Sequence, residues 1–502
     1  MKGYLLGIDN GGTVTKAAVF DTEGNEVAVA TRKVEILQLF HGWNERDAEK
    51  MWKDTCEVIR EVLSLSAIKS EQVLGVACTG HGNGLYLVDG NGMPVRNAIN
   101  STDTRAQKYV ESWKKSGIDK LVLPYTTQSL WPGQPNAILA WLKEHEPESL
   151  NKAKFVLMAK DFIRMKLTGE FFAEITDMSG TSLMSVTKRS YDNHILRLFG
   201  LEEMEDVLPP LIDSSEPAGN VTQKAAVQTG LKAGTPVAGG MFDIDACALA
   251  SGIADENQMS LVAGTWGNNQ YIAKNPLIDK DLFMSSIYAI PGWYLMLEGS
   301  PTSAGNLDWF IDTFLQDEKK RHGSRFFEWL NKQVCSVSPE SSGVIFLPFL
   351  YGNNTGKNIP ATFYGLEGRH KRAHLIRAVY EGIVFSHRTH IERLLNFRNP
   401  PDVIRCTGGA TQSEVWMQMF ADAIGIPVEI PAGIQLGALG AAIAAAVCTG
   451  VYRDFNEGIQ SMVRIEHIYE PNMIIHEIYQ EKFYVYQNII RSFPLKNNDL
   501  PT

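Results

Sequence analysis

Strand-sized apolar runs open the chain, runs at helical spacing follow, and this order occurs twice. GYLLGID, KAAVFD and residues 26–30 read as a meander of three strands, with turns at Asn10-Gly11-Gly12 and Glu23-Gly24-Asn25. Over 48–65, Trp52, Cys56, Val58, Ile59 and Leu63 recur at the spacing of a buried helix face. VLGVACTGHGNGLYLVDGNG then reads as strand, glycine-broken turn, strand and turn. The second half restarts with NQMSLVAGTWGNNQYIAK, again strand, small-residue turn, strand. A helix follows over RAHLIRAVYEGIVFSHRTHIERLL, and VIRCTGGATQSEVWMQMFADAIG reads as strand, Gly-Gly turn, helix. Two halves with one plan predict two domains, which the length of 502 residues also requires.

Composition removes several functional classes. A hydrophobic share of 44% with 21% charged residues is that of a soluble globular protein. The formal net charge of -10 opposes nucleic acid or an anionic membrane as main partner, because phosphate-rich surfaces are bound by surplus Lys and Arg. No run of about 18 apolar residues predicts a membrane span, and the N-terminal run is cut at Asp9, too soon for a signal peptide. Cys56, Cys78, Cys247, Cys335, Cys406 and Cys448 lack the close pairs of metal sites or disulfide scaffolds, which predicts a reduced, cytoplasmic protein.

The glycine-rich bends carry the first candidate chemistry. A turn without side chains exposes backbone N–H groups, and several of them pointing inward bind an anion. Gly11, Gly12 and Thr13 would form one such cradle, and Gly264 and Thr265 within AGTWG a second. A carboxylate next to bound phosphate is repelled unless a cation lies between them, so Asp9 reads as a Mg²⁺ contact. Asp-Asn-Gly is equally a common hairpin turn. Gly408 and Gly409 stand between a strand and a helix, where bare backbone admits a flat base or ribose. There is no GxxxxGK[ST] and no HRD-type kinase loop.

The segment ATFYGLEGRHKRAHLIRAVYEG, from Ala361, Phe363, Gly365 and Leu366 through His374, Leu375, Ala378, Val379, Tyr380 and Glu381, resembles the second signature of the FGGY carbohydrate kinases. GQPNAILAWLKEH resembles the first signature, with Ile138 where that family usually has lysine. The order of motifs extends over about 3–486. EGSPTSAGNLDWF, FLPFLYG, AVYEGIVFSH and SEVWMQMFADAIG are similar to the bacterial L-xylulose kinase branch. His81 and Asn83 stand where that branch has Gln and Lys, and Asp245 replaces an apolar residue.

The resemblance implies an α/β fold of two actin-like (ribonuclease H-like) domains, 1–246 for the sugar and 247–502 for the nucleotide, with an ATP/sugar cleft near 246–253. It implies ATP and Mg²⁺ as cofactors and transfer of a phosphoryl group to a ketopentose such as L-xylulose, giving the 5-phosphate. Other acceptors in its range are D-xylulose, ribulose, erythritol, glycerol and gluconate. Asp243 of GGMFDIDACALASG matches the family base, although the residue alone reads as a helix N-cap. His81, Gly82, Asn83 and Asp103 match the sugar-binding segments, with Trp131 and Gln134 as pocket wall. Taken alone, His81 reads as a structural histidine and Asp103 as the cap of a helix starting near Thr104. Lys16 and Gly305 join the nucleotide set, and Gly437 and Gly440 would form a further strand-helix turn beside it, with close helix packing as the alternative reading of these two glycines. A homodimer is compatible with this reading. An actin-like ATPase and a silent sugar-binding regulator are the alternatives from other classes. The sugar segments oppose the first, and retention of Asp9, Thr13, Asp243, Gly264 and Thr265 opposes the second.

Overall fold

The computed structural model describes residues 3–280, 282–300, 302–353, 355 and 357–494. Met1 and Thr502, the outer ends of the two expected domains, and Pro301 of EGSPTSAGNLDWF lie outside the described residues.

The meander forms as its pattern predicts, with strands Tyr4–Asn10, Val14–Asp21 and Glu26–Lys33, the last three residues longer than expected. Strand Tyr4–Asn10 pairs antiparallel with Val14–Asp21 on one side and parallel with Val73–Gly80 on the other. Pro236–Ala238 continues the parallel part, and Pro217–Asn220 closes the edge antiparallel to it. Successive side chains of a strand point to opposite faces, and both faces of this sheet are buried. Leu6, Ile8 and Val19 pack with Met51, Trp52 and Ile59 of helix Ala48–Ser66 and Phe162 of helix Ala159–Thr168. Leu5, Ala18 and Phe20 pack on the opposite face with Leu249 of helix Asp243–Ala250 and with helix Leu436–Cys448. A separate core around Ile99, Trp113, Ile138, Trp141 and Val156 fills the long insertion after the third strand pair, and Ile138 of the first signature is fully buried in it.

The second sheet repeats the plan. Gln258–Ala263 pairs antiparallel with Gly267–Ala273 and parallel with Val403–Thr407, which pairs parallel with Val428–Pro431. Ile465–Tyr469 closes it antiparallel. Helix Arg372–Leu395 has the predicted bounds. Its Glu381 is buried and paired with Arg377 and Lys482, and a Cβ on Gly382 would meet the Phe346 carbonyl oxygen at 2.3 Å. The helical end of the most specific family motif therefore acts in packing.

Neither compact unit is contiguous. The first comprises the chain up to Ala254 with Ile272–Met296 and Gly433–Arg464, and the second comprises Asp255–Tyr271, Leu297–Ala432 and the chain from Ile465 onward. This departs from a single boundary at 246/247, and the cause is local. Helix Leu436–Cys448, LGALGAAIAAAVC, carries small side chains and is buried nearly all round. It lies so close to the first sheet that a Cβ on Gly7 would meet the Ala438 carbonyl oxygen at 1.9 Å. A Cβ on Gly440 would meet the Ala246 carbonyl oxygen at 2.2 Å. Gly440 is thus a packing glycine inside a helix, where a nucleotide-side turn was expected.

Candidate active site

In the first unit, three neighbouring strand ends bring the expected sugar, metal and base residues to one edge of the sheet. The parallel register sets Asp9 opposite Thr79 and Asn10 opposite Gly80, while Met241 and Phe242 pair with Thr79 and Gly80 from the other side. The segments that follow, 11–13, 81–84 and Asp243, therefore leave the sheet at the same end, where open α/β sheets place their ligands. The His81 N–H donates to the Asn10 carbonyl at 3.1 Å, tying the first hairpin to the second segment.

Asp243 begins helix Asp243–Ala250, whose cap position is Phe242 with no side-chain cap bond, so the N-cap reading of this aspartate does not hold. The residue as a whole keeps some exposure to solvent. Burial raises its pKa well above the ordinary aspartate value, the Asp9 and Asp177 charges add to the rise, and the Ile244 and Asp243 backbone N–H groups oppose it. Asp9 keeps 14% side-chain exposure and faces Lys16 Nζ at 3.8 Å. Burial raises its pKa too, against the pull of Lys16. Gly437, expected on the nucleotide side, instead brings its helix against Asp9, where a Cβ would lie 2.9 Å from Oδ2.

The Asp9 charge raises the proton affinity of Asp243, and a cation near the two would relieve that repulsion. Among the described residues no three His, Cys, Asp or Glu side chains converge on a metal position. A single carboxylate such as Asp9 is a donor of the kind Mg²⁺ takes when phosphate and water supply its other ligands.

His81 is buried and its Nε2 lies 3.1 Å from the Tyr86 hydroxyl. Burial, with the Arg46 charge beside it, pushes its pKa down to about 4, so the imidazole is neutral. Arg46 itself donates to Thr15 Oγ1 at 2.8 Å and was not expected from sequence. Asn83 sits in the left-handed region with φ 59°, its N–H donates to Asp177 Oδ1 at 3.2 Å, and its buried Oδ1 has no partner within the described protein. A Cβ on Gly82 would meet the Phe242 ring at 2.0 Å, so this glycine lets the segment close on the residue before Asp243.

Asp103 differs from expectation. Its side chain has no exposure, Oδ1 accepts from Arg105 N at 2.8 Å and Nε at 2.9 Å, and Oδ2 accepts from Arg105 Nη2 at 2.8 Å and Asn44 N at 2.7 Å. With both oxygens filled by protein donors it has no lone pair for a sugar diol. Nor does it cap a helix, because the next one starts at Gln107 behind Ala106. Gln134 is likewise buried and bonded to Gln128 Oε1 at 2.8 Å. Trp131 is partly exposed and its N–H donates to Gln134 Oε1 at 3.1 Å.

Asp245 differs from Asp243 in burial and partners. It is fully buried, its Oδ1 accepts from the Ala289 N–H at 3.2 Å, and its Oδ2 has no hydrogen bond within the described protein. Burial first, then the Glu174 charge, raises its pKa well above the ordinary value.

The second unit holds the other expected cradle. Gly264 and Thr265 form the bend between strands Gln258–Ala263 and Gly267–Ala273. The Ala304 N–H donates to the Gly264 carbonyl at 2.9 Å, which sets the start of helix Gly305–Phe314 beside the bend. Gly408 has φ 98°, and a Cβ there would meet the Ala263 carbonyl oxygen at 2.6 Å. Gly409 has open space around it. Sequence reasoning missed His387, which is buried with Nε2 2.8 Å from Ser303 Oγ and Nδ1 2.9 Å from Asn269 Oδ1. Burial pushes its pKa down to about 3. Its position in a helix of regular pattern gave no signal.

Sequence and structure comparisons bear on the family and the fold. Residues 4–250 match the N-terminal domain, and residues 259–449 the C-terminal domain, of the FGGY family of carbohydrate kinases. The chain is 39% identical over 492 residues to an L-xylulose/3-keto-L-gulonate kinase of Escherichia coli (strain K12), covering 98% of this chain and 97% of the relative. It is 38% identical to a probable L-xylulose kinase of Pasteurella multocida (strain Pm70), covering 97% and 98%. The fold matches the crystal structure of xylulose kinase from Rhodospirillum rubrum with a TM-score of 0.89 and 26% identity, over 97% of this chain and 98% of that one. The chain belongs to the FGGY family of carbohydrate kinases, in the two-domain fold of that family.

Proposed function

We propose that the protein transfers the γ-phosphoryl group of ATP to the terminal hydroxyl of a ketopentose, with L-xylulose as the first substrate to test and the 5-phosphate as product. One observation supports the reading: Asp243, a residue that keeps some exposure, follows a strand that ends at the same end of the sheet as the strand leading into His81 and Asn83 and the strand leading out of Asp9. The L-xylulose kinases at 38% and 39% identity support the substrate class.

Phosphoryl transfer demands mainly positioning, a base for the hydroxyl proton and stabilisation of charge on the phosphoryl oxygens. Asp243 accepts the proton of the attacking hydroxyl, and its raised proton affinity suits that role. Neutral His81 and the unpartnered Asn83 Oδ1 orient the sugar, one as ring donor or acceptor and one as acceptor. Gly11, Gly12 and Thr13 with Lys16, and Gly264, Thr265, Gly305, Gly408 and Gly409, bind the nucleotide through backbone N–H groups and one ammonium. Asp9 would hold Mg²⁺ bound with ATP, which would supply positive charge to the phosphate oxygens. Asp103 is left out of the sugar contacts and is assigned to holding Arg105. The six unpaired thiols fit action in the cytoplasm.

A coupled kinase assay over L-xylulose, D-xylulose, L- and D-ribulose, erythritol, glycerol and gluconate tests the reading. ATP turnover that depends on a ketopentose supports it. Turnover confined to a three- or four-carbon polyol would replace the substrate, and hydrolysis indifferent to every sugar would replace the class.

A further inference from the structure

Helix Ala159–Thr168 buries three charged side chains, Lys160, Asp161 and Arg164, each with no exposure. Lys160 Nζ lies 3.0 Å from Asp161 Oδ1, 3.3 Å from Glu174 Oε2 and 3.3 Å from Asp177 Oδ2. Burial lowers the pKa of this lysine, and the three carboxylates more than offset that, so it stays charged. A buried ion cluster is a poor source of stability, since apolar replacements of equal volume are often neutral or better. Its use has to be sought in what it holds.

Three hydrogen-bonded links leave the cluster, two to the segment before Asp243 and one to Asn83. Glu174 Oε2 accepts from Thr176 Oγ1 at 2.8 Å, and that oxygen accepts from the Phe242 N–H at 2.9 Å, one residue before Asp243. Upstream on the same segment, Arg164 Nη1 donates to the Gly239 carbonyl at 2.6 Å. On the other side, Asp177 Oδ1 accepts from the Asn83 N–H at 3.2 Å. One rigid group of charges thus grips the backbone of the base segment and of the sugar segment.

We infer that the Lys160 cluster is a positioning device that fixes the distance between Asp243 and the sugar segment, with Thr176 as the link to the base. This rests on the reading of Asp243 as base. Charged partners make the stronger and more directional hydrogen bonds, and phosphoryl transfer is sensitive to misplacement on the scale of 1 Å. Neither Lys160 nor Thr176 touches the reacting atoms in this scheme.

Thr176→Val tests it, because valine keeps the shape and removes the hydroxyl that joins Glu174 to Phe242. With L-xylulose and ATP, kcat should fall about 10-fold, as for a small displacement of a reacting group, while KM for ATP stays within about twofold. Thr176→Ser should restore turnover, which a packing defect would not predict. Glu174→Gln retains an acceptor for Thr176 and should give a smaller fall, which provides a second reading if Thr176→Val does not fold. Asp243→Asn is assayed in parallel. Full turnover of folded Thr176→Val and Glu174→Gln beside an inactive Asp243→Asn would overturn the positioning inference alone. Loss in Thr176→Val that Thr176→Ser fails to restore would overturn it as well. An active Asp243→Asn would overturn the base assignment, and the inference with it.

Discussion

The backbone N–H of His81 donates to the carbonyl of Asn10 at 3.1 Å, joining the end of one parallel strand to the end of its neighbour. Because Asp243 follows a short strand paired to the same Val73–Gly80 strand, Asp9, residues 81–84 and Asp243 share one end of the sheet.

Three aspartates should therefore differ in kind. Asp243→Asn should lower kcat on the order of 10²-fold or more with little change in sugar KM, since it removes a general base and keeps the shape. Asp9→Asn should raise the Mg²⁺ requirement, read from activity against metal concentration at fixed ATP. Asp245→Asn should cost least in turnover. Near-normal kcat at Asp243→Asn with a dead Asp245→Asn would move the base by two residues.

Asp245 also predicts a pH effect on stability. Its folded pKa is raised above 3.8, so between that value and the folded pKa the native state binds more protons than the unfolded one. Stability from this group then falls as pH rises through that window. Asp245→Asn cannot ionise and should lose less melting temperature than the parent between acidic and alkaline pH. Parallel curves for the two proteins would contradict it.

His81 should titrate with a midpoint of about 4. Its ring is neutral throughout pH 5 to 8, so sugar KM should show no limb near the ordinary histidine pKa of about 6.5. Histidine Cε1 shifts in an NMR titration check this, and a midpoint near 6.5 would mean a solvated ring.

Glycines separate by what surrounds them. Gly409→Ala enters open space and should leave the melting temperature unchanged while raising KM for ATP about 10-fold, the scale of one or two lost hydrogen bonds. Gly440→Ala drives a Cβ to 2.2 Å from the Ala246 carbonyl oxygen and should destabilise by about 1–3 kcal/mol or more through overpacking. Thermal unfolding and ATP kinetics on the two variants distinguish cradle from packing.

Asn83→Gly suits the φ of 59° and deletes the unpartnered Oδ1. Sugar KM should rise about 5- to 10-fold, the scale of one hydrogen bond, with KM for ATP unchanged. An unchanged sugar KM would assign Asn83 to the turn alone.

The sequence by itself determined the elements and the hairpin chemistry. The short apolar run in GYLLGID, the helical spacing over 48–65 and the full length of Arg372–Leu395 are local properties, and the residue pattern reports them directly. The repeated strand plan and the bare-backbone turns at Gly11-Gly12, Gly264 and Gly408-Gly409 were legible for the same reason. Tertiary structure decided who is adjacent to whom. Asp103 reads as a sugar ligand until Arg105 fills its oxygens, and Gly437 and Gly440 read as a turn until their helix packs beneath Asp9 and Ala246. The cluster of Lys160, Glu174 and Asp177 looks like scattered charge along the chain, because nothing in residue spacing tells which buried charges meet. Pairing and desolvation depend on distances between segments remote in sequence, and only the folded chain sets those.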